Sequence, residues 1–169
     1  KNLNINDERL LRAQILRSEI LNVLGKSSEG GLIATQTLEA ARTINAPHLI
    51  GASLRVLGVS TQRSGATHEA WQMFEEALMQ LRSVNADELV VQTQLNLVDI
   101  ARYRGWNERA QQAIEDCLSQ LDTLQSDLII GHVHAYSGLF YLHLEDFNTA
   151  SSHIEKLQSL MKLPVIILG

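Results

Sequence analysis

The segment Ser53–Leu81 reads SLRVLGVSTQRSGATHEAWQMFEEALMQL, and its pattern recurs twice along the chain. The second copy is Thr93–Leu121 (TQLNLVDIARYRGWNERAQQAIEDCLSQL), and the third is Val133–Met161 (VHAYSGLFYLHLEDFNTASSHIEKLQSLM). Each copy begins 40 residues after the one before it. A constant period of about 20–50 residues is typical of proteins built from stacked supersecondary units. The sequence therefore predicts a repeat architecture.

Small and apolar residues occupy matched positions in the three copies. The matched sets are Ala70, Ala110 and Ala150; Phe74, Ile114 and Ile154; Ala77, Cys117 and Leu157; Gly58, Val98 and Gly138; and Gly65, Gly105 and Glu145. A small residue allows two helices to approach closely, and an apolar residue four positions later lies on the same helix face. A glycine after the first helix supplies a turn that needs a positive φ. This pattern predicts helical hairpins that bury their apolar faces by stacking.

The matched positions resemble those of the tetratricopeptide repeat (TPR). In the first copy the resemblance rests on Leu57, Gly58, Gly65, Ala70, Phe74 and Ala77. The later copies match at fewer places, namely Leu97, Gly105, Ala110 and Ile114, and then Gly138, Tyr141, Ala150 and Ile154. The chain departs from the family in its period of 40, where about 34 is usual. Leu54, Gln94 and His134 stand at the early Trp position, and the closing proline is absent.

The resemblance is clear over residues 47–160 and implies an all-α solenoid. In that family, helix-turn-helix hairpins stack into a right-handed superhelix. The longer period resembles the long-helix variant found in bacterial signalling proteins. The family's binding surface is a concave groove lined by the first helix of each hairpin.

The segment before these repeats carries the same signals in weaker form. Asp7 precedes a predicted helix that ends at Gly25, and the small–apolar–small spacing returns at Ala34, Leu38 and Ala41. We therefore predict eight helices in four hairpins, over about 7–44, 47–84, 87–124 and 127–161. Gly30-Gly31 is interpreted as an inter-helix loop, and Asn85, Asn107 and Asp127 as caps at or just before helix starts. Residues 1–169 then form one repeat domain, which we expect to be a piece of a longer protein.

The composition favours a folded helical domain. The chain is 45% apolar and 20% charged, with only two prolines, so it does not have the composition of a disordered protein. A net charge of −5 disfavours a nucleic-acid-coating role, and one cysteine excludes an internal disulfide framework. No apolar run approaches the ~20 residues that span a bilayer. We expect a cytoplasmic protein that binds neither nucleic acid nor membrane directly.

The residues of chemically reactive types have simpler interpretations. A metal site is the alternative for four histidines, namely His132, His134, His143 and His153. His132 and His134 point about 200° apart on a helix, so we interpret the histidines as surface or inter-helix residues. Cys117 occupies the same repeat position as Ala77 and Leu157, which indicates a buried packing position. Trp106 follows the turn glycine and is interpreted as a packing residue between repeats. We expect no catalytic site, no metal and no cofactor.

The resemblance implies a groove whose side chains come from the first helix of each hairpin. Its candidate partner-binding residues are Arg55, Gln62, Arg63, Gln92, Asn96, Asp99, Arg102, Tyr103, His132, Tyr136 and His143. Arginine fits carboxylates and tyrosine adds apolar area with a polar tip, so a peptide with an acidic feature would suit this set. The alternative is an ordinary solvated face, on which Asp99 pairs with Arg102 or Tyr103. Replacing Arg55 and Arg102 together by Ala is expected to leave the melting temperature nearly unchanged.

Leu139 and Leu142 fall on groove positions of the last hairpin, close in sequence to the apolar stretch 163–168. Exposed apolar clusters usually mark contacts. We interpret these two leucines as an apolar docking seam that is covered by a following helix, a second subunit or the end of the chain.

These features predict a non-catalytic protein- or peptide-binding scaffold. The resemblance to long-period bacterial members implies a sensory or regulatory module joined to an output domain, such as a diguanylate cyclase or a DNA-binding unit. Two alternatives stay open: a receptor domain for a peptide pheromone, and a purely structural module that forms a homodimer.

Overall fold

The computed structural model describes residues 7–161, and these residues are all-α. They form eight α-helices and one short 3-10 helix, Leu121–Thr123. The helices are α1 (Glu8–Val23), α2 (Ser27–Thr43), α3 (Pro47–Arg63), α4 (Thr67–Arg82), α5 (Asp87–Arg104), α6 (Asn107–Ser119), α7 (Asp127–His143) and α8 (Phe147–Met161). The prediction of eight helices is confirmed. None of the described helices is both long and apolar enough to span a bilayer.

The chain divides into two compact units, Lys1–Thr93 and Gln94–Gly169, with the boundary inside α5. In the first unit, α1 packs against α2 and α3, and α3 packs against α2 and α4. In the second unit, α7 packs against α6 and α8. Within each unit these helices thus pack mainly against their sequence neighbours, as expected for a helical repeat.

One turn geometry closes most of the helices. A residue with positive φ follows the helix end at Gly25, Asn45, Gly65, Asn85, Gly105 and Glu145. At the first of these, the Gly25 N–H donates to the Asn22 carbonyl and the next N–H donates to the Leu21 carbonyl. This is the Schellman arrangement, which satisfies the last carbonyls of a helix. The positions recur at multiples of 20 residues, so the 40-residue period contains two helix-plus-turn units.

The connection between α6 and α7 departs from this scheme. The predicted third hairpin extends to residue 124, but α6 ends at Ser119 and the single-turn 3-10 helix follows. The Gln120 side chain donates to the Asp116 carbonyl at 2.7 Å and to Gln94 Oε1 at 3.2 Å. The 20-residue spacing of the turns would place a left-handed residue at position 125. The sequence has glutamine there, and not the glycine or asparagine that adopts this conformation readily.

The interpretation of Gly30-Gly31 as an inter-helix loop is wrong, because α2 already begins at Ser27. These glycines serve close packing. A Cβ on Gly30 would lie 3.0 Å from the Ser18 carbonyl oxygen and 3.2 Å from Asn22 Oδ1. The Ser18 hydroxyl donates to the Gly30 carbonyl at 2.6 Å. Glycine therefore allows α1 and α2 to approach each other inside regular helix.

The three predicted caps also need correction. Asn85 has a φ of +52° and occupies the left-handed position after α4, so it ends one helix and does not cap the next. Asn107 and Asp127 are the first residues of α6 and α7. Trp106 is the N-cap of α6 without a side-chain bond, and the Ser126 hydroxyl accepts from the Ile129 N–H at the start of α7. The expected cap at Asp7 is confirmed, since its side chain accepts from the Arg9 N–H.

The repeat positions form the core. Ala70, Ala110 and Ile114 are fully buried, as is Phe74, and Ala150 is 2% exposed. Gly58 lies against the Phe74 ring. In the weaker first hairpin, Ala34 and Ala41 are fully buried and Leu38 nearly so. The predicted small–apolar spacing therefore marks the packing face in the first three hairpins, and its small position Ala150 is buried in the last one.

Candidate protein-interaction surfaces

Two of the predicted groove residues in the first unit already bind other parts of the protein. The Arg55 guanidinium donates to the Glu19 carboxylate of α1, and the side chains of this pair are 12% and 34% exposed. The Arg63 guanidinium donates to the Asn22 carbonyl. These contacts tie α3 to α1, so a partner of either arginine would have to compete with them. Gln62 and Gln92 are half-buried.

A buried polar cluster lies beside these arginines. The Asn22 side chain donates to the Val56 carbonyl at 3.2 Å and accepts from the Ser60 hydroxyl at 2.9 Å. Asn22 is 3% and Ser60 6% exposed. Buried polar groups stabilise a fold only when they are paired, as these are. The role of Arg55 and Arg63 in binding a partner stays a prediction, while their role between α1 and α3 is directly visible.

Two predicted residues of the second unit pair with each other, and a third interacts with them electrostatically. Arg102 Nη2 donates to Asp99 Oδ1 at 3.0 Å along α5. Tyr136 of α7 is half-buried, and burial and the Asp99 charge raise its pKa while Arg102 acts in the opposite direction. The phenol of Tyr136 therefore lies within the electrostatic range of the Asp99–Arg102 pair. The Asp99–Arg102 pairing that the solvated-face alternative expects is therefore present.

One face of α7 is accessible to a partner. It consists of His132, Tyr136, Leu139, Leu142 and His143, which follow at helical spacing and so lie on one side of the helix. We call this set the α7 face. Leu139 is 52% and Leu142 49% exposed, and both histidines are exposed. On α5, Asn96 is half-buried and Tyr103 is 87% exposed.

The other two candidate histidines pair between α7 and α8. His134 Nδ1 and His153 Nδ1 are 3.1 Å apart, and each residue is 6% exposed. The Tyr141 ring stacks on His153 at a centroid distance of 5.8 Å. Burial lowers the pKa of both imidazoles, and Lys156 adds to this effect. The inter-helix interpretation is confirmed for this pair, and no group of three or more potential metal ligands occurs within residues 7–161.

Cys117 is a core residue, as its repeat position predicts. It is fully buried, and burial raises the pKa of its thiol to about 12. Because the thiolate is the reactive form of cysteine, this side chain is not poised to act as a nucleophile.

The turn between α5 and α6 holds a cluster that the sequence interpretation missed. Trp106 is 36% exposed, and the Arg109 guanidinium lies over its ring at 5.1 Å from the centroid. Arg104 and Tyr103 are exposed beside it. The expected packing role of Trp106 accounts only for its buried part. The signal in the sequence was the density of arginine and aromatic residues in 102–109.

The last hairpin exposes a position that the other copies bury. Ile154 is 49% exposed, whereas its counterparts Phe74 and Ile114 are fully buried. Phe147 and Met161 of α8 are 65% and 57% exposed. The packing face of α8 is therefore incompletely covered within residues 7–161. The stretch 163–168, which the sequence interpretation places near this end, lies outside the described residues.

Comparison with known proteins identifies the fold but no sequence relative. No family model matches the chain, and no curated protein matches it. Among solved structures, BtubC (BKLC) from P. vanneervenii is similar with a TM-score of 0.75 at 14% identity, over 90% of this chain. This chain spans 63% of the BtubC chain.

A second solved structure contains the nearly identical TPR-like repeats of a kinesin-light-chain candidate from Podosopora anserina. It is similar with a TM-score of 0.66 at 16% identity, over 95% of this chain and 79% of the other. Identities this low establish the fold alone. The described helices thus form a TPR-like all-α repeat fold, and the predicted resemblance is confirmed.

Proposed function

We propose that this protein is a non-catalytic scaffold that binds a protein or peptide partner on the α7 face. The observation that carries the proposal is the exposure of Leu139 and Leu142, at 52% and 49%. Tyr136 lies on the same face and is coupled electrostatically to Asp99 and Arg102. An apolar centre with a polar rim that contains tyrosine and arginine is the arrangement found in protein interfaces.

The chemistry of this surface indicates the kind of partner. Two leucines offer apolar area to an amphipathic segment, and the Tyr136 hydroxyl and Arg102 offer polar contacts at its margin. Arg102 already satisfies Asp99 at 3.0 Å, so a partner carboxylate there would share or replace that contact. The partner would gain most of its affinity from the leucines and its orientation from the polar margin.

Repeat folds of this type are typically non-catalytic scaffolds. The titratable groups of the second unit support the same assignment. The Cys117 thiol has its pKa raised to about 12, and the buried histidines pair with each other. Catalysis needs convergent groups aimed at a substrate position, whereas these groups are used in packing.

The experiment that tests the proposal is a comparative affinity capture. Wild-type protein is compared with the Leu139→Asp, Leu142→Asp variant in lysate from the source organism, and any differentially captured protein is purified for titration. We expect the variant to bind it about tenfold more weakly or worse, because two charges would replace the apolar anchors. A matched control is Leu16→Asp with Leu32→Asp, which are 56% and 62% exposed in the first unit.

Two results would contradict the proposal. One is a partner that binds the α7-face variant and the wild-type protein equally well. The other is the absence of any protein that the wild type captures and the variant loses. Circular dichroism on each variant separates these results from loss of folding.

The finer proposal is a cytoplasmic sensory or regulatory module of a bacterial signalling protein, linked to a diguanylate cyclase or DNA-binding output domain. It is supported by the long period alone and is tested by the reading frame of the native gene. A peptide-pheromone receptor would instead retain a short peptide in native mass spectrometry. A structural homodimer would sediment in a concentration-dependent manner, and Leu139→Asp with Leu142→Asp would abolish this dependence.

A further inference from the structure

We propose that the α5–α6 turn is a second docking site, which takes an acidic polypeptide segment. The site consists of Tyr103, Arg104, Trp106 and Arg109, which we call the turn patch. It lies outside the α7 face. It rests on the proposed function only in the sense that the chain's task is to bind proteins.

The geometry of the turn patch presents arginine and aromatic side chains together. Gly105, with a φ of +70°, reverses the chain between α5 and α6, which brings the four residues to one corner. Tyr103 is 87% and Trp106 36% exposed, and both arginines are exposed. The Arg109 guanidinium lies 5.1 Å from the Trp106 centroid. This contact combines a planar cation with an aromatic face at one exposed site.

The repeat itself does not require these residues. At the three positions of Arg104, Trp106 and Arg109, the first copy has Ser64, Ala66 and Glu69, and the third copy has Leu144, Asp146 and Thr149. The corresponding turns close with the same backbone geometry at Gly65 and Glu145. The backbone geometry of this turn therefore does not depend on arginine or tryptophan at these three positions. Exposed tryptophan, tyrosine and arginine are the residue types enriched where binding energy concentrates.

The local charge selects an anionic partner. Residues 102–109 contain three arginines against a single acidic residue, Glu108, in a chain with a net charge of −5. The turn patch is therefore a locally basic region of an acidic protein. A single-stranded nucleic acid would stack its bases on aromatic rings, but Arg109 already covers one face of the Trp106 ring. A short run of carboxylates on a polypeptide fits better.

The test uses Trp106 as its own reporter. Trp71→Phe leaves Trp106 as the sole tryptophan of the chain, and its fluorescence is followed while a short oligoglutamate peptide is added. We expect a saturable change, and Arg104→Ala with Arg109→Ala should weaken the apparent affinity by about tenfold. The charge-matched control is Arg17→Ala with Arg82→Ala, which removes two exposed arginines of the first unit. Circular dichroism checks the fold of each variant.

Three outcomes would overturn the proposal. The first is no change in Trp106 fluorescence, and the second is an equal loss of affinity in the charge-matched control. The third is a single-stranded oligonucleotide that binds at least as tightly as the peptide. The Leu139→Asp, Leu142→Asp variant should titrate like the wild type, because its substitutions lie on the α7 face. The proposal for the turn patch can therefore be wrong while the α7 face still binds its partner, and the proposal for the α7 face can be wrong while the turn patch binds the peptide.

Discussion

Two glycines in the same repeat position have opposite packing environments. A Cβ on Gly58 would lie 2.6 Å from Cε1 of Phe74, whereas a Cβ on Gly138 would lie 3.7 Å from its nearest neighbours. The difference follows from the facing column, because the third copy has Ile154 where the first has the larger Phe74. Glycine at 58 is thus required by packing, and glycine at 138 is not.

This contrast predicts stability changes of opposite sign. Gly58→Ala should lower the free energy of unfolding by about 1–3 kcal/mol through overpacking. Gly138→Ala should raise it by about 0.5–1 kcal/mol, because alanine has the higher helix propensity and its methyl group fits. Urea denaturation of both variants measures the two changes. A loss of stability in Gly138→Ala equal to that in Gly58→Ala would show that the packing argument is wrong.

The predicted groove arginines Arg55 and Arg102 also differ in how much they contribute to stability. Arg55→Ala should lower the free energy of unfolding by about 1–3 kcal/mol, since it leaves the partly buried Glu19 without its partner. Arg102→Ala should cost about 0–1 kcal/mol, because its pairing with Asp99 spans only one turn of α5 and about a third of each side chain is exposed. Thermal melting of each single variant measures these costs. The structure therefore changes the expectation for the double substitution, whose melting temperature should fall because of Arg55.

At the scale of elements, the repeat position shared by Ile114 and Ile154 shows which helix face is covered. Ile114→Ala should cost about 2–5 kcal/mol because this side chain is fully buried. Ile154→Ala removes the same atoms from a position that is 49% exposed, and it should cost less than about 1 kcal/mol. Chemical denaturation of the two variants gives the comparison. Equal costs would mean that another segment covers the α8 face in solution.

The contact between α7 and α8 should weaken in acid. Burial lowers the pKa of His134 and His153 in the folded protein. In the unfolded chain both imidazoles have the ordinary histidine pKa of about 6.5. The unfolded state therefore binds more protons as the pH falls from about 6.5 toward the folded values, and stability falls with it. Above about pH 6.5 both states carry neutral imidazoles, and this contribution is constant.

Urea denaturation at several pH values measures this slope. His134→Gln with His153→Gln should flatten it. A residual slope is expected from His48, whose pKa is also lowered by burial. An identical slope in the wild type and the His134, His153 variant would show that the pair does not control the acid response.

At the scale of the whole molecule, net charge and exposed apolar area act together. The chain carries a net charge of −5 at pH 7, and its isoelectric point is near 5.6. Self-repulsion therefore fades as the pH approaches that value, while Leu139, Leu142 and Ile154 stay about half exposed. We expect light scattering to rise between pH 7 and 5.6 and to rise less in the Leu139→Asp, Leu142→Asp variant. Equal scattering in both proteins would exclude the α7 face as the site of self-contact.

The sequence alone determined the architecture, because periodicity is a local property that survives in a one-dimensional pattern. The 40-residue spacing of Ala70, Ala110 and Ala150 predicted the helices and their buried faces. Tertiary structure decided what spacing does not encode. It placed Gly30 inside a close helix contact, paired Arg55 with Glu19 and set Arg109 on the Trp106 ring. Each of these depends on which side chains meet across helices, and that is settled by packing in three dimensions.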